Sequence, residues 1–264
     1  YPLFNSPDEI AAAFKSAGFD LVVTANNHIL DRGYQGALRT LEILHQNGLD
    51  TVGVYPDPLA SQQFLIKNIK GIRVGYLGYT YSTNGIPVPN DMPYLVNYLE
   101  RDKIMDDIGR LRPQVDVLVL VLHWGVEYSP QPTQEQKALA REFCEAGADI
   151  ILGSHPHVIQ TMEIIPEGDR NCFVIYSMGN FISDQRGLER NSGIILQIEF
   201  SKNLTTGQTL LKKIDYIPTY SHSYYDGGRQ QFRVVPVEQT IEKIHQGQEP
   251  YLNKDHIPTL QGVL

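Results

Sequence analysis

Three apolar runs in this chain lead into histidine motifs. Phe19 to Thr24 leads into Ala25-Asn26-Asn27-His28, Val117-Leu118-Val119-Leu120-Val121-Leu122 into His123, and Asp149 to Leu152 into Gly153-Ser154-His155-Pro156-His157. Short runs of this kind, rich in β-branched residues, read as buried strands, and residues at the strand ends of an α/β fold converge on one place in space. Histidines delivered in this way can assemble a metal site, because neutral imidazole is a common ligand for Zn, Mn and Fe. A metal-dependent hydrolase is the first reading to test.

Between these runs the pattern alternates. Ser6-Pro7-Asp8-Glu9 reads as an N-cap, a proline at the first helical position and a capping-box glutamate, so a helix is expected from there to about Ala17, stopping at Gly18. Tyr34 to Asn47 carries Leu38, Leu41 and Leu44 at helical spacing, with Gly48 as its stop. Ile72 to Tyr79 reads as a strand. Tyr81 to Tyr94, rich in Pro, Asn and Gly, reads as a loop long enough to cover a site. Tyr98 to Leu111 is expected to be helical, and Thr133-Gln134-Glu135-Gln136 forms a second capping box for a helix ending near Gly147. Beyond Val158 helical periodicity fades. Cys172 to Tyr176, Gly193 to Phe200, Leu210 to Ile217 and Phe232 to Val235 read as strands, and Val237 to His245 as a late helix. Alternating units followed by strands suggest two sheets stacked between helical layers, in one domain over 1–264: a motif-bearing part at 1–185, then second-sheet strands and the late helix at 186–264.

Composition narrows the partners. A net charge of -8 argues against a nucleic-acid partner, since phosphate-backbone binding needs a basic face. A phosphorylated small molecule or an anionic polymer stays open, because a bound metal supplies local positive charge. Cys144 and Cys172, without a close spacing, read as core thiols rather than a disulfide. Neither a signal peptide nor a stretch long enough to cross a bilayer stands out, and the chain opens at Tyr1 without an initiator methionine, as a processed or trimmed protein would.

Each candidate residue carries two readings. His155 and His157 are two apart, so on an extended strand they would share a face, while Pro156 stiffens the turn between them. Asn26-Asn27 is either a turn or, through the Asn27 carbonyl, a metal ligand, with His28 facing the substrate as proton donor or oxyanion stabiliser. Asp31 either orients His28 through its ring nitrogen or caps the helix beyond. Glu127 binds metal, orients a ligand or faces solvent, and Trp124 beside it is expected to be a packing wall. Asn180, in Gly179-Asn180, is either part of a tight turn or an amide donor at the site. His45, His222, His245 and His256 lack such company and are left out of the site.

Taken in order, Ala25-Asn26-Asn27-His28 with Asp31 and Gly33, His123-Trp124-Gly125 with Glu127-Tyr128, His155-Pro156-His157-Val158 with Gln160, and Tyr176-Ser177 with Gly179-Asn180-Phe181 resemble the motifs of the CapA family. These are bacterial proteins of poly-gamma-glutamate capsule synthesis, similar to calcineurin-like metallophosphoesterases, and the resemblance spans about residues 1–185. It implies a four-layer α/β/β/α sandwich and a phosphoesterase-type hydrolase that uses a metal-activated water. By motif, Asn27, His123 and His155 would share one divalent ion, His157 would bind its neighbour, and His28 would be the catalytic imidazole, with Mn, Zn or Fe as the metal. An extracytoplasmic protein tethered to the membrane, in a membrane-bound capsule synthesis complex, is also implied.

The family's upstream Gly-Asp and Asn-Leu-Glu motifs, which supply acidic ligands, do not occur here. Two metals about 3.5 to 4 Å apart normally need a bridging carboxylate to offset their repulsion. Either the domain is N-terminally incomplete, its first strand supplied by a preceding segment, or it carries a reduced site, and the first is the expectation because losing a central strand would expose a sheet edge in the core. Two alternatives stand beside the phosphoesterase: a non-catalytic envelope module that binds or hands on an anionic polymer, and a metal-dependent amidase acting on a peptide-like polymer.

Overall fold

The first helix begins later than its capping signals suggest. In the computed structural model, which describes residues 3–264, helix α1 spans Glu9–Ser16, and Asp8 at its N-cap makes no side-chain capping bond. Both Asp8 carboxylate oxygens instead accept from Arg39 at 2.6 Å. Arg39 lies on α2 (Gly33–Gln46), so a bidentate ion pair replaces the expected capping box. Gly18, at φ 94°, ends α1 where the sequence places the stop.

The chain divides into two compact units. The first comprises Tyr1–Trp124 and Ala138–Ile151, the second Gly125–Lys137 and Leu152–Leu264, and the division falls within α4 (Gln134–Ala146) and β6 (Ile150–Ser154). In the first unit β1 (Leu21–Val23) pairs in parallel with β2 (Asp50–Val52). A second group runs β3 (Leu65–Ile69), β4 (Ile72–Thr80), β5 (Val117–His123) and then the first residues of β6. β3 and β4 are antiparallel, whereas β4 and β5 are parallel, with Thr80 opposite His123. The parallel register brings the C-terminal ends of both strands to one edge. There Tyr81 N donates to His123 O at 3.0 Å, which starts the 81–94 loop beside the histidine. Every residue from Val117 to Leu122 is buried, as expected of a parallel strand covered on both faces.

Helix α2 buries Ala37, Leu41 and Leu44, one stripe at helical spacing, and the first two pack with Leu30, Val54, Leu95 and Val96. Helix α3 (Arg101–Leu111) buries Ile104, Ile108 and Leu111 in the same way. The capping box ahead of α4 forms as the sequence predicts. Gln136 N donates to Thr133 Oγ1 at 3.1 Å, and Thr133 N to Gln136 Oε1 at 2.9 Å.

In the second unit the end of β6 is followed by β8 (Arg170–Ile175) and then β7 (Met162–Glu167), which pairs antiparallel with β8. A separate antiparallel sheet has the order β11-β10-β9. Its strands are β9 (Ser192–Lys202), β10 (Thr209–Asp226) and β11 (Arg229–Pro236). Strand β10 runs 18 residues, far longer than its apolar stretch, because its outer half pairs through Ser221 to Asp226 with β11. Helices α5 (Val237–His245) and α6 (Ile257–Gln261) close over Val235, Val237, Ile244, Leu252 and Leu260. Cys144 and Cys172 are buried and disulfide-bonded, correcting the expectation of thiols, since spacing along a chain carries no information on bridging.

His222 on β10 stacks on Tyr224 and meets the edge of His256 with centroids 5.7 Å apart, and its Nε2 is buried without a hydrogen-bond partner. Burial first, then the charges of His256 and Arg233, hold its pKa below the ordinary histidine value, with Glu249 acting in the opposite sense. The unfolded chain therefore takes up this proton first. The stability His222 contributes is present above the ordinary range, about pH 6.5, and is lost as pH falls below it. Thermal unfolding should show a midpoint that drops between pH 7 and 5, with a smaller drop for His222→Gln; an equal drop in the variant would refute this assignment.

Candidate functional site

The loop after β1 divides its work between two adjacent asparagines. Asn26 makes the turn: its Oδ1 accepts from His28 N at 2.9 Å, and its Nδ2 donates to Thr24 O at 3.1 Å. Asn27 is thereby turned inward, 3% exposed, with Oδ1 2.9 Å from Nε2 of His123 and Nδ2 donating to Asn84 Oδ1 at 3.1 Å. The turn reading of this pair thus falls on Asn26, while Asn27 faces His123 and Asn84.

His28 Nδ1 lies 2.8 Å from Asp31 Oδ2. The same oxygen accepts from Phe4 N at 2.8 Å, and the Phe4 ring meets His28 edge-on at 4.6 Å. Helix α2 has no side-chain cap, so the Asp31 carboxylate faces the ring rather than the helix. A carboxylate accepting at Nδ1 selects the tautomer protonated there. Nε2 is then left with its lone pair.

In the second unit His155 and His157 do not lie on an extended strand. They follow the end of β6 in left-handed backbone conformations, φ 97° and 61°, and Tyr128 shares that region at φ 64°. The physical reason lies in Pro156. It has no N–H to donate to a strand ladder, and its carbonyl accepts from Tyr128 N at 2.7 Å. The two imidazoles end with centroids 6.2 Å apart and planes at 50°. His157 Nδ1 lies 2.9 Å from Asn180 Oδ1, a partner that leaves Nε2 as the ring's open acceptor.

Gln160, 2% exposed, donates to Ser129 O at 2.9 Å, which ties the 125–137 segment to the residues after this turn. Trp124 is buried. Glu127 is half-buried and makes no hydrogen bond or ion pair among the described residues.

The donors suit a divalent ion in kind. Asn27 Oδ1 and His123 Nε2 already face each other, and imidazole nitrogen with amide oxygen is a set that Zn, Mn or Fe accepts. Carboxylates are the part that is missing: no group of three or more His, Cys, Asp or Glu side chains is placed to hold a metal among the described residues. The set therefore fits one ion better than two, because neutral ligands do little to offset the repulsion of a second.

Sequence reasoning overlooked Asn84, at φ 53° in the 81–94 loop, whose Nδ2 also reaches to 3.4 Å from His28 Nδ1. The Asn84-Gly85 turn signal was its only mark. It also overlooked Arg190, whose guanidinium sits 4.1 Å from the centre of the Tyr128 ring.

Gly179 decides where Asn180 points. It sits at φ 70°, and an added Cβ would lie 2.4 Å from Ser192 O, a backbone atom with no room to move. Gly179→Ala should lower stability by about 2 kcal/mol or more in chemical denaturation, from strain and clash together. A variant as stable as the parent would contradict the geometry.

Comparison with known proteins bears on family and fold. The profile of the family described as "Bacterial capsule synthesis protein PGA_cap" matches residues 1–185. The capsule biosynthesis protein CapA of Bacillus anthracis is 31% identical over 206 residues, covering 76% of this chain and 49% of that protein. The PGA biosynthesis protein CapA of Bacillus subtilis is 31% identical over 209 residues, covering 78% and 53%. The chain thus spans about half the length of these relatives. Among solved structures, a putative 5'-nucleotidase from Staphylococcus aureus aligns with a TM-score of 0.57 at 15% identity, over 98% of this chain and 44% of that one. The 5'-nucleotidase precursor from Thermus thermophilus aligns at 0.54 and 17%, over 82% and 42%. At such identities the likeness speaks to fold alone: the chain shares the mixed α/β fold of these nucleotidases. By its profile match and its CapA relatives, the chain belongs to the bacterial capsule synthesis family PGA_cap.

Proposed function

We propose that this chain is a metal-dependent hydrolase of phosphoesterase type, acting in the synthesis of poly-gamma-glutamate capsule or another envelope polymer. The observation that carries the reading is the pairing of His28 with the buried Asp31 at 2.8 Å, one residue along from Asn27 and its contact to His123. By motif, Asn27, His123 and His155 would hold one divalent ion and, where further acidic ligands complete the centre, His157 would hold a second. When bound, such an ion supplies Lewis-acid polarisation and a nucleophilic water at neutral pH.

The chain's own residues supply the rest. Asp31 holds the proton on His28 Nδ1 and fixes the ring, so Nε2 is the atom that takes up a proton and delivers it to a leaving oxygen. Asn27 is held from the far side by its bond to Asn84, which stops its carbonyl from rotating away. Asn180 orients His157 in the corresponding way.

Substrates consistent with this chemistry are anionic polymers and phosphorylated small molecules. The names of the relatives support the polymer, and those of the structural neighbours support a phosphate ester. A place outside the cytoplasmic membrane is supported by the family and by the disulfide-bonded cysteines, which persist in oxidising compartments. Among the described residues no helix is long and apolar enough to cross a membrane.

The test is hydrolysis of bis(p-nitrophenyl) phosphate by protein loaded with Mn, Zn or Fe. Turnover is expected, and His28→Ala should lower kcat by about 10²–10⁴-fold with metal content unchanged. No turnover with any of the three metals would overturn the hydrolase. Binding of polymer without turnover would instead support the envelope module, a reading favoured by the neutral donor set.

A further inference from the structure

A closed circuit of contacts in the second unit links His157 to an arginine the proposed chemistry has not used. Asn180 joins them on one side, its Oδ1 on His157 Nδ1 at 2.9 Å and its Nδ2 donating to the backbone carbonyl of Arg190 at 2.7 Å. Tyr128 joins them on the other side. Its ring stacks on His157 with centroids 5.8 Å apart and planes at 27°, and it carries the Arg190 guanidinium 4.1 Å from its centre. The Tyr128 backbone is itself held at φ 64° by the bond to Pro156, which sets the direction from which the ring reaches His157 and Arg190.

Arg190 lies in a 3-10 turn, Glu189–Asn191, and is exposed. It makes no ion pair among the described residues, although the chain carries 30 acidic residues against 22 basic ones. A guanidinium held over an aromatic ring by its central carbon still has N–H groups to offer another partner. A cation placed on an aromatic platform, anchored through its backbone to the same amide that orients His157, has the form of an anion clamp. It does not have the form of a structural ion pair.

We propose that Arg190, seated on Tyr128, is a specificity-determining residue that binds an oxyanion of the substrate next to His157. The shared chemistry is a carboxylate or phosphate group able to accept two parallel N–H bonds. A carboxylate-rich peptide polymer and a phosphate ester are its two sources. The inference rests on the proposed function for its substrate, but it is tested without turnover.

The experiment measures binding of a fluorescent γ-linked glutamate oligomer and, separately, of inorganic phosphate to the metal-loaded protein, to Arg190→Ala and to Arg190→Lys. Dissociation constants are followed together with metal content and thermal midpoint. Arg190→Ala should weaken at least one probe by about tenfold or more, with metal content and midpoint unchanged, and Arg190→Lys should recover part of the loss. Loss confined to the oligomer assigns a carboxylate, and loss confined to phosphate assigns a phosphoryl group. Arg190→Ala binding both probes like the parent, or a parent that binds neither, overturns the clamp. An Arg190-dependent parent that hydrolyses nothing would leave the clamp standing and remove only the hydrolase.

Discussion

Side chains at the end of β6 owe their positions to backbone that L-residues seldom adopt. His155 and His157 are both left-handed, separated by a proline, and Tyr128 is held in the same region by the carbonyl of that proline. Each such residue costs on the order of 1–3 kcal/mol and persists only where its surroundings over-determine it. Here the surroundings are named: the Tyr128 bond to Pro156, the Asn180 bond to His157, and Gln160 holding the 125–137 segment through Ser129. A straight continuation of β6 would make a less strained chain. It would not bring His157 to Asn180 and Tyr128 in this geometry.

The first unit reaches a comparable result with less strain. Asn26 commits both polar ends of its side chain to backbone, which frees Asn27 and His28 to face other groups. Those two are then locked from outside their own turn, by Asn84 and His123 for one and by Asp31 for the other. Each of these side chains has a partner that fixes its orientation. That pre-organisation lets weak individual hydrogen bonds matter chemically, because little ordering remains to be done when a ligand arrives.

Much of the fold was legible because local signals and tertiary outcome agree. The capping box at Thr133, the stops at Gly18 and Gly48, the buried run of β5 and the late helix at Val237–His245 all follow from residues close in sequence. Strands β2, β3 and β7 were missed for the complementary reason. Asp50–Val52 is three residues long, and Leu65–Ile69 and Met162–Glu167 lack a clean alternation and owe their conformation to the neighbours they pair with. Pro156 marked a turn between His155 and His157, but nothing local records that its carbonyl would bond to Tyr128 or that both histidines would be left-handed. The candidate histidines were visible through their positions behind strands. Asn84 and Arg190 were not, since their meaning comes only from groups 57 and 10 residues away.

A strained turn at His155-Pro156-His157 has a purpose if it presents metal ligands, and metal content should then depend on it. The most direct measurement is elemental analysis of purified protein after Mn or Zn loading, for the parent and for His157→Gly, in which glycine adopts the left-handed backbone without penalty. At least one ion per parent chain is predicted and less in the variant, with the variant still folded by circular dichroism. A folded variant that keeps the parent's full metal content, or a parent that holds none, would contradict a ligand-presenting role for the turn.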